Sequence, residues 1–369
     1  MHSQPLTVAD PSLRLLQIER ARHAVMHGSV APAAAVEPWI ERSWRRCLTA
    51  GLSPGQRVGF DVISRTQLRR TLAEHRNLIE AAQPVLASLR QAMAQTRYFA
   101  ILTNAHGVVV DAHGPIDRND RRAAVITRVG ADLSERAVGT TAISAALIEQ
   151  HPVWLHRGEH FFDDTSVYSC AGAPLFGPDG RCLGMLDLTG IDAAERPELR
   201  HLVAQAARSI ENGLTLRQPH RLLLRINWPG QTLGTEGDGL LCLDAEGRVV
   251  AANSTARNLL PSLARQPDAH ADEVFATPVG TLFDAARHEA APLDLPLWSG
   301  LRLQVWARAA DGGADRPRRG ALSGSPSLKD LELSLIRKAV ADARGNVKEA
   351  ARVLGISRAT VYRKLGRRI

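Results

Sequence analysis

The sequence GNVKEAARVLGISRATVYRKL, residues 345–365, has the pattern of two short helices joined by a tight turn. Gly355 permits a sharp backbone turn, and Ser357 is a favourable N-cap for the second helix. The apolar residues of the first helix recur at i, i+3, i+4 and i+7, on one helix face: Val347, Ala350, Ala351 and Leu354. Two short helices that cross at small residues are typical of a helix-turn-helix.

A further helix is predicted before this motif. Ser327 and Asp330 form an S-x-x-D start signal, in which each side chain can accept a hydrogen bond from a backbone N–H at the helix N-terminus. Apolar residues then recur at helical spacing from Leu328 to Ala343, and Gly345 ends the helix. Residues 327–369 are therefore predicted to form an all-α unit.

The basic excess of the chain lies in this C-terminal part. From Asp311 to Ile369 there are 14 Lys+Arg and 6 Asp+Glu, a net charge of +8. The whole chain has 46 and 38, also +8, so the preceding 310 residues hold 32 of each and are neutral. Such clustering is expected of a segment that binds phosphates. The alternative is a basic helical bundle that docks on another protein.

Residues 345–365 resemble the helix-turn-helix of the factor for inversion stimulation (Fis), a module that also closes many bacterial enhancer-binding transcription activators. The resemblance implies double-stranded DNA as a partner. Tyr362 stands where relatives often carry a basic residue. The positions that the resemblance assigns to contacts with bases and phosphates are Ser357, Arg358, Thr360, Tyr362, Arg363, Lys364 and Arg367.

The amino-acid composition is typical of a soluble globular protein. With 369 residues, 44% apolar and 23% charged, it is long enough for two or three cores. It has no run of eighteen apolar residues and no signal-peptide pattern at Met1–Ser12. The cysteines are scattered without a C-x-x-C pair, which favours a cytoplasmic location and argues against structural zinc: Cys47, Cys170, Cys182 and Cys242. We expect no metal and no cofactor.

The fold class predicted from the rest of the chain is α+β and multidomain. Residues 1–95 are expected to form a helical N-terminal segment, in which Glu37–Leu48 is an amphipathic helix carrying Trp39 and Trp44. We expect these tryptophans to pack against the next domain; a binding role is the alternative. Residues 96–218 combine an antiparallel sheet with bracketing helices. Strands are predicted at 98–103, 108–111, 152–156, 169–176 and 181–188, and helices at 140–150 and 196–216.

Four motifs in this region resemble the sensory GAF domain of acetoin-catabolism-type regulators: Val138-Gly-Thr-Thr-Ala-Ile143, His156-Arg-Gly-Glu-His-Phe161, Ser169-Cys-Ala-Gly-Ala-Pro174 and Gly184-Met-Leu-Asp-Leu-Thr189. The resemblance implies a pocket for a small effector or a partner between the sheet and its covering helices. It assigns to the lining Thr140, Thr141, His160, Phe161, Phe162 and Cys170. For each of these residues, core packing or loop capping is the alternative role.

A second, smaller sheet domain is expected at residues 236–307. Gly239–Asp244, Arg248–Asn253 and the helix that starts at Ser254 resemble the opening of a PAS domain, in a short form. Leu301–Ala307 is the predicted last strand. Residues 308–326, rich in Gly, Ala, Arg, Ser and Pro, are predicted to be a flexible linker to the helix-turn-helix domain at 327–369.

The central ATPase domain of sigma-54 activators has no counterpart in this sequence. That domain needs a G-x-x-x-x-G-K-[ST] loop to hold nucleotide phosphates, and the chain contains no Gly-Lys dipeptide. We therefore expect a DNA-binding regulator that does not hydrolyse ATP, acting as a ligand-gated repressor or activator. The alternative is a modulator that forms mixed oligomers with a full-length activator or competes for its sites. RNA polymerase or a related activator would then be a further partner.

Two enzyme functions are weaker alternatives, and no catalytic residue is predicted. His156-Arg-Gly-Glu-His160 fits the inverted zinc-protease motif H-x-x-E-H, but that motif needs a continuous helix and this one contains Gly158. Cys170 and Cys182 could serve a GAF-type methionine sulfoxide reductase or a redox sensor. If Cys182 lies opposite Leu175, five residues from Cys170, the offset is roughly 16–17 Å, beyond the roughly 7 Å that a disulfide spans. We also expect a homodimer, because dimers read two half-sites about 34 Å apart.

Overall fold

The computed structural model describes residues 11–29, 35–288 and 291–310, together with Val347, Ala351, Arg358 and Val361. The chain divides into two compact units, Met1–Gly312 and Gly313–Ile369. The first unit contains two five-stranded antiparallel sheets. The observed class is therefore α+β, as predicted.

The N-terminal part of the first unit is largely helical among the described residues. It consists of α1 (Pro11–Met26), α2 (Pro38–Thr49), α3 (Arg65–Glu74) and α4 (Arg76–Ala92). Helix α3 begins at a capping box formed by Ser64 and Gln67, which satisfies two backbone N–H groups at once. Trp39 and Trp44 are buried in the core below α2, so the packing role expected for them is confirmed.

The first sheet follows in the order β1 (Tyr98–Asn104), β2 (Val109–His113), α5 (Arg121–Ile126), α6 (Glu135–Val138), α7 (Ala142–Glu149), β3 (Val153–His156), β4 (Tyr168–Phe176), β5 (Cys182–Ile191) and α8 (Leu199–Leu216). The strand order across the sheet is β2-β1-β5-β4-β3. Each predicted strand and both predicted long helices of this region are present, with ends that differ by a few residues. The two short helices α5 and α6 were not predicted.

Both faces of the first sheet are covered, so the sequences of its strands are runs of apolar residues rather than alternations of apolar and polar residues. Helices α1, α2, α5, α6 and α7 contribute to a core on one face. Helices α4 and α8 contribute to a second core on the other. The strands between them are almost fully buried along their length, which is the arrangement expected of a sheet without a solvent face.

The second sheet contains β6 (Leu222–Asn227), β7 (Gly239–Leu243), β8 (Val249–Ala252), α9 (Ser254–Leu259), α10 (Ala271–Val274), α11 (Val279–Arg287), β9 (Leu293–Pro296) and β10 (Arg302–Ala309). Its strand order is β8-β7-β6-β10-β9. The central strand β6 lies before residue 236, where the second domain was expected to start. Helices α9 to α11 pack on one face around a core that includes Ile226, Phe275 and Val305.

The tip of the β4–β5 hairpin touches the second sheet. The carbonyl of Pro178 accepts hydrogen bonds from the backbone N–H of Ala252 at 3.0 Å and from Arg257 at 2.5 Å. Nearby, Asn253 donates to Asn212 of α8 at 2.7 Å. Within the first unit, the two sheets are thus joined by a polar junction as well as by the chain itself.

One detail of the expected hairpin register is wrong. Cys182 pairs with Phe176, not with Leu175, because an irregularity between Leu175 and Phe176 shifts the pairing by one residue. Cys170 pairs with Thr189. The two cysteines are therefore six residues apart along the hairpin, about 20 Å, further than expected from the sequence. All four cysteines are free.

Among the described residues, no helix is long and apolar enough to span a membrane.

Candidate effector-binding site

A pocket lies on the first sheet, beneath α5 to α7 and the chain between β3 and β4. The space in it that the centre of a water-sized sphere can occupy is about 30 Å³, where roughly 10–15 Å³ is enough to hold one water molecule. Its apolar lining is Phe60, Ile101, Ile126, Leu133, Val138, Ala142 and Ile143. Its polar lining is Thr141, His160, Thr165, Tyr168, Cys170, Asp187 and Thr189. Neither arginine nor lysine belongs to this lining.

His160, a residue of the pocket lining, has an acceptor nitrogen that is free among the described residues. Its side chain is fully buried, and burial lowers the pKa of the imidazole to about 4, so the ring is neutral at physiological pH. Nδ1 lies 2.9 Å from the carbonyl oxygen of Arg157 and must carry the proton to donate there. Nε2 is then unprotonated, and it has no partner within the described part of the chain.

Asp187 is the second buried polar group of the pocket. Its Oδ2 accepts a hydrogen bond from the hydroxyl of Thr189, whose oxygen lies 3.4 Å from the Sγ of Cys170. Its Oδ1 has no hydrogen-bond partner among the residues described. Burial raises the pKa of Asp187 to about 7, against the opposing effect of the Thr189 hydroxyl. A large fraction of this carboxyl is therefore protonated at neutral pH and can donate from Oδ1.

Three of the six residues expected in the lining contribute to it: Thr141, His160 and Cys170. Thr141 also caps helix α7 in a reciprocal pair with Ser144. Burial raises the pKa of the Cys170 thiol well above its usual value, so this thiol stays protonated. These side chains enclose the pocket from α7, the β3–β4 connection and β4.

The other three expected residues lie elsewhere, which corrects the assignment from the sequence. Thr140 points to α2, where its hydroxyl is 2.7 Å from that of Ser43. Phe161 and Phe162 are buried in the core, with their rings edge to face at 5.0 Å. They do not belong to the pocket lining. Core packing, the alternative role, is what the structure shows for them.

Four further polar residues of the lining were not predicted: Thr165, Tyr168, Asp187 and Thr189. One signal could have identified Asp187. The stretch Gly184-Met-Leu-Asp-Leu-Thr189 is otherwise a strand of apolar and small residues, and a carboxylate in the middle of such a strand must be paired or neutral. Tyr168 and Thr165 give no such signal, because tertiary structure alone brings them to the pocket.

The residues of the two enzyme alternatives have other partners. His156 ends β3 and its Nδ1 lies 2.8 Å from the hydroxyl of Ser169. Glu159 pairs with Arg14 of α1 and accepts from the backbone N–H of His156. His156, Glu159 and His160 do not share a helix, and the described residues contain no cluster of three or more metal-ligating side chains. The separation of Cys170 and Cys182 gives no support for their direct pairing.

Of the predicted DNA-binding residues, only Arg358 is described; it is helical and exposed. Ala351 and Val361, in the same predicted motif, are helical and buried. The remaining predicted contacts lie outside the described residues: Ser357, Thr360, Tyr362, Arg363, Lys364 and Arg367.

Comparison with known families defines the class of protein. Residues 327–367 match the family model described as bacterial regulatory protein, Fis family. The matched segment is the one predicted to form a helix-turn-helix. Residues 16–212, more than half of the chain, match the model of the MimR N-terminal domain. The chain belongs to this family, and the resemblance to acetoin-catabolism-type regulators expected from the sequence is confirmed.

The similar proteins include transcription activators. The acetoin catabolism regulatory protein of Cupriavidus necator is 30% identical over 69% of this chain and 39% of its own length. The propane 2-monooxygenase operon activator MimR of Mycolicibacterium goodii is 26% identical over 67% of this chain and 44% of its own length. The chain thus spans less than half the length of either relative. The solved E. coli DhaR(N)–DhaL complex matches at 15% identity and a TM-score of 0.46, over 74% of this chain and 100% of the matched chain.

Proposed function

We propose that the protein is a DNA-binding transcription regulator whose pocket on the first sheet binds a small neutral effector. One observation carries the effector part of the proposal. His160 Nε2 and Asp187 Oδ1 are both fully buried, both belong to residues that line the same pocket, and neither has a partner in the described residues. Buried polar atoms are rarely left unpaired, so two on residues of one pocket lining favour a ligand that pairs with them.

The chemistry of the two atoms defines the class of ligand. Neutral His160 offers an acceptor at Nε2, which calls for a hydroxyl or amide N–H on the ligand. Protonated Asp187 offers a donor at Oδ1, which calls for a carbonyl or hydroxyl oxygen. The pocket holds no cation to pair with an anionic ligand, and a carboxylate beside Asp187 would be a buried unpaired charge. Acetoin, which appears in the name of one relative, is a small neutral compound that carries both a hydroxyl and a carbonyl.

In this proposal, residues 96–218 are the GAF-like sensor and residues 236–307 a PAS-like segment that relays the signal or dimerises. Residues 308–326 are a linker to the DNA-binding domain at 327–369. The protein is a cytoplasmic homodimer without enzyme activity. The missing Gly-Lys dipeptide supports regulation without ATP hydrolysis. Effector binding must favour one arrangement of the dimer, since a ligand that binds both arrangements equally shifts neither.

The ligand part is tested by calorimetric titration with acetoin, propan-2-ol and lactate as probes. We expect a neutral probe to bind and lactate not to. His160→Phe should weaken the binding at least about tenfold, because it removes the buried acceptor. His156→Phe is the matched control, since His156 is a second buried neutral imidazole that does not line the pocket. Equal losses in both variants, or preferential binding of lactate, would contradict the proposal.

The DNA part is tested by selection from random DNA at near-physiological salt. An enriched inverted repeat is expected for the wild-type protein. Arg358→Ala should weaken binding by about 1–3 kcal/mol and relax the sequence preference if Arg358 contacts a base edge. Lys364→Ala, if it contacts phosphate only, should weaken all sequences alike and reduce the salt slope by about one. The same sequence-independent loss in both variants would rule out direct readout by Arg358. A motif enriched only with a related activator present would favour the modulator function.

A further inference from the structure

The chain that carries His160 into the pocket is held from outside by helix α1. Residues 157–163, called here the roof loop, run from the end of β3 over the pocket. Arg22 of α1 donates to the carbonyl oxygens of His160 and Phe161, each at 2.7 Å. It also reaches the carbonyl of Gly158 at 3.3 Å and the carboxylate of Asp163 at 2.6 Å. One guanidinium thus binds four acceptors of the roof loop.

These carbonyls depend on Arg22. Within the described residues, no backbone N–H or other side chain donates to the carbonyls of Gly158, His160 or Phe161. A planar guanidinium with five N–H donors can serve several carbonyls at once. Only 13% of the Arg22 side chain is exposed, so water does not compete freely for these bonds.

Two further residues place the same face of α1 on the roof loop. Arg14, Ile18 and Arg22 are spaced four residues apart and share one helix face. Arg14 pairs with the buried carboxylate of Glu159. Ile18 packs on Gly158, where an added Cβ would lie 3.3 Å from the Ile18 Cγ2 atom. The contact therefore extends along two turns of α1 and over most of the roof loop.

We infer that α1 is a clasp on the effector pocket and that Arg22 is a positioning residue for His160. While α1 is docked, Arg22 fixes the backbone of His160 and holds the roof loop over the pocket. When α1 detaches, the roof loop loses the donors for its carbonyls and the pocket opens, which couples effector exchange to the docking of the N-terminal helix. The role assigned to the pocket rests on the proposed function, whereas the mechanical coupling does not.

The coupling can be tested without an effector, by the alkylation of Cys170 in the full chain. Cys170 lines the pocket and is 6% exposed, so N-ethylmaleimide reaches it only when the pocket opens. Cys242, buried in the second sheet, reports global unfolding in the same sample. Peptide mass spectrometry gives both rates. Arg22→Met, which keeps the apolar stem but removes the donors, should accelerate alkylation of Cys170 at least about tenfold and leave Cys242 unchanged.

Two further variants separate positioning from general stability. Arg22→Lys keeps a charged donor and should restore part of the slow Cys170 rate, because an ammonium has three donors without the planar fork. Arg20→Met, on the exposed side of the same helix, should match the wild-type protein. An unchanged Cys170 rate in Arg22→Met, or parallel increases at Cys170 and Cys242, would overturn the clasp. Either result leaves the His160 titration intact as a separate test of the proposed function.

Discussion

Asp187→Asn is expected to remove a large part of the pH dependence of folding stability between about pH 4 and pH 8. In the folded protein, burial raises the pKa of Asp187 from 3.8 to about 7. A carboxyl whose pKa is raised on folding contributes to the free energy of unfolding. The contribution is fully present below the pKa of the unfolded state and is lost as the pH rises through the pKa of the folded state. That loss amounts to about 4 kcal/mol at most, since each pKa unit corresponds to about 1.4 kcal/mol. Asparagine has a similar shape and does not ionise.

Urea unfolding at pH 5, 6, 7 and 8 measures this effect as the difference between the wild-type protein and Asp187→Asn. The variant should gain stability relative to the wild type as the pH rises. The other titratable side chains of the pocket are His160, Tyr168 and Cys170. They are common to both proteins and drop out of the difference. Asp268→Asn, at an exposed position, is the control and should show no trend. A constant difference across the range would mean that Asp187 is already ionised at pH 5.

Gly139→Ala is expected to destabilise the first unit by about 2–6 kcal/mol. Gly139 has φ +67° and ψ −153°, a region that glycine alone adopts without strain; forcing another residue into it costs about 1–3 kcal/mol. An added Cβ would also lie 2.9 Å from the Cβ of Phe161 and 3.0 Å from the Cε2 of Phe162. Both rings are buried, and such overpacking costs about 1–3 kcal/mol more.

Chemical denaturation with Gly280→Ala as the control tests this prediction. Gly280 lies in α11 with nothing within 4 Å of an added Cβ, so alanine there should be neutral or stabilising by up to about 1 kcal/mol. Because Phe161 follows His160 directly, Gly139→Ala should also weaken any ligand that binds His160. A change in the free energy of unfolding below about 0.5 kcal/mol would show that the rings of Phe161 and Phe162 move aside for the added methyl group more easily than their burial indicates.

The elements that the sequence identifies well are those with local signals. The strands of the first sheet follow from their apolar runs and from turns such as Gly177–Gly180, and α7 follows from the motif at its start. Strand β6 was missed because Leu222–Asn227 directly follows a long helix. It pairs with the nearby β7 and also with β10, which lies more than seventy residues further along the chain. Nothing local in the sequence indicates a pairing over that distance.

The pocket was only partly predictable for the same reason. The motif resemblance identified Thr141, His160 and Cys170, but it could not separate lining from core at Thr140, Phe161 and Phe162. That separation depends on which way each side chain leaves the backbone and on what packs behind it. Asp187 acquires its role from burial and from the lack of a nearby cation, both of which are tertiary properties.

The turn at the tip of the β4–β5 hairpin limits how this protein can vary in length. Surface turns are usually the places where chains tolerate insertions. Here the carbonyl of Pro178 bonds to Ala252 and Arg257, and an added Cβ at Gly180 would lie 2.9 Å from the Nε of Arg257. Inserted residues would separate the two sheets at this point. The turn around Gly230, which has open space about it, is the better site for a reporter tag or an inserted domain.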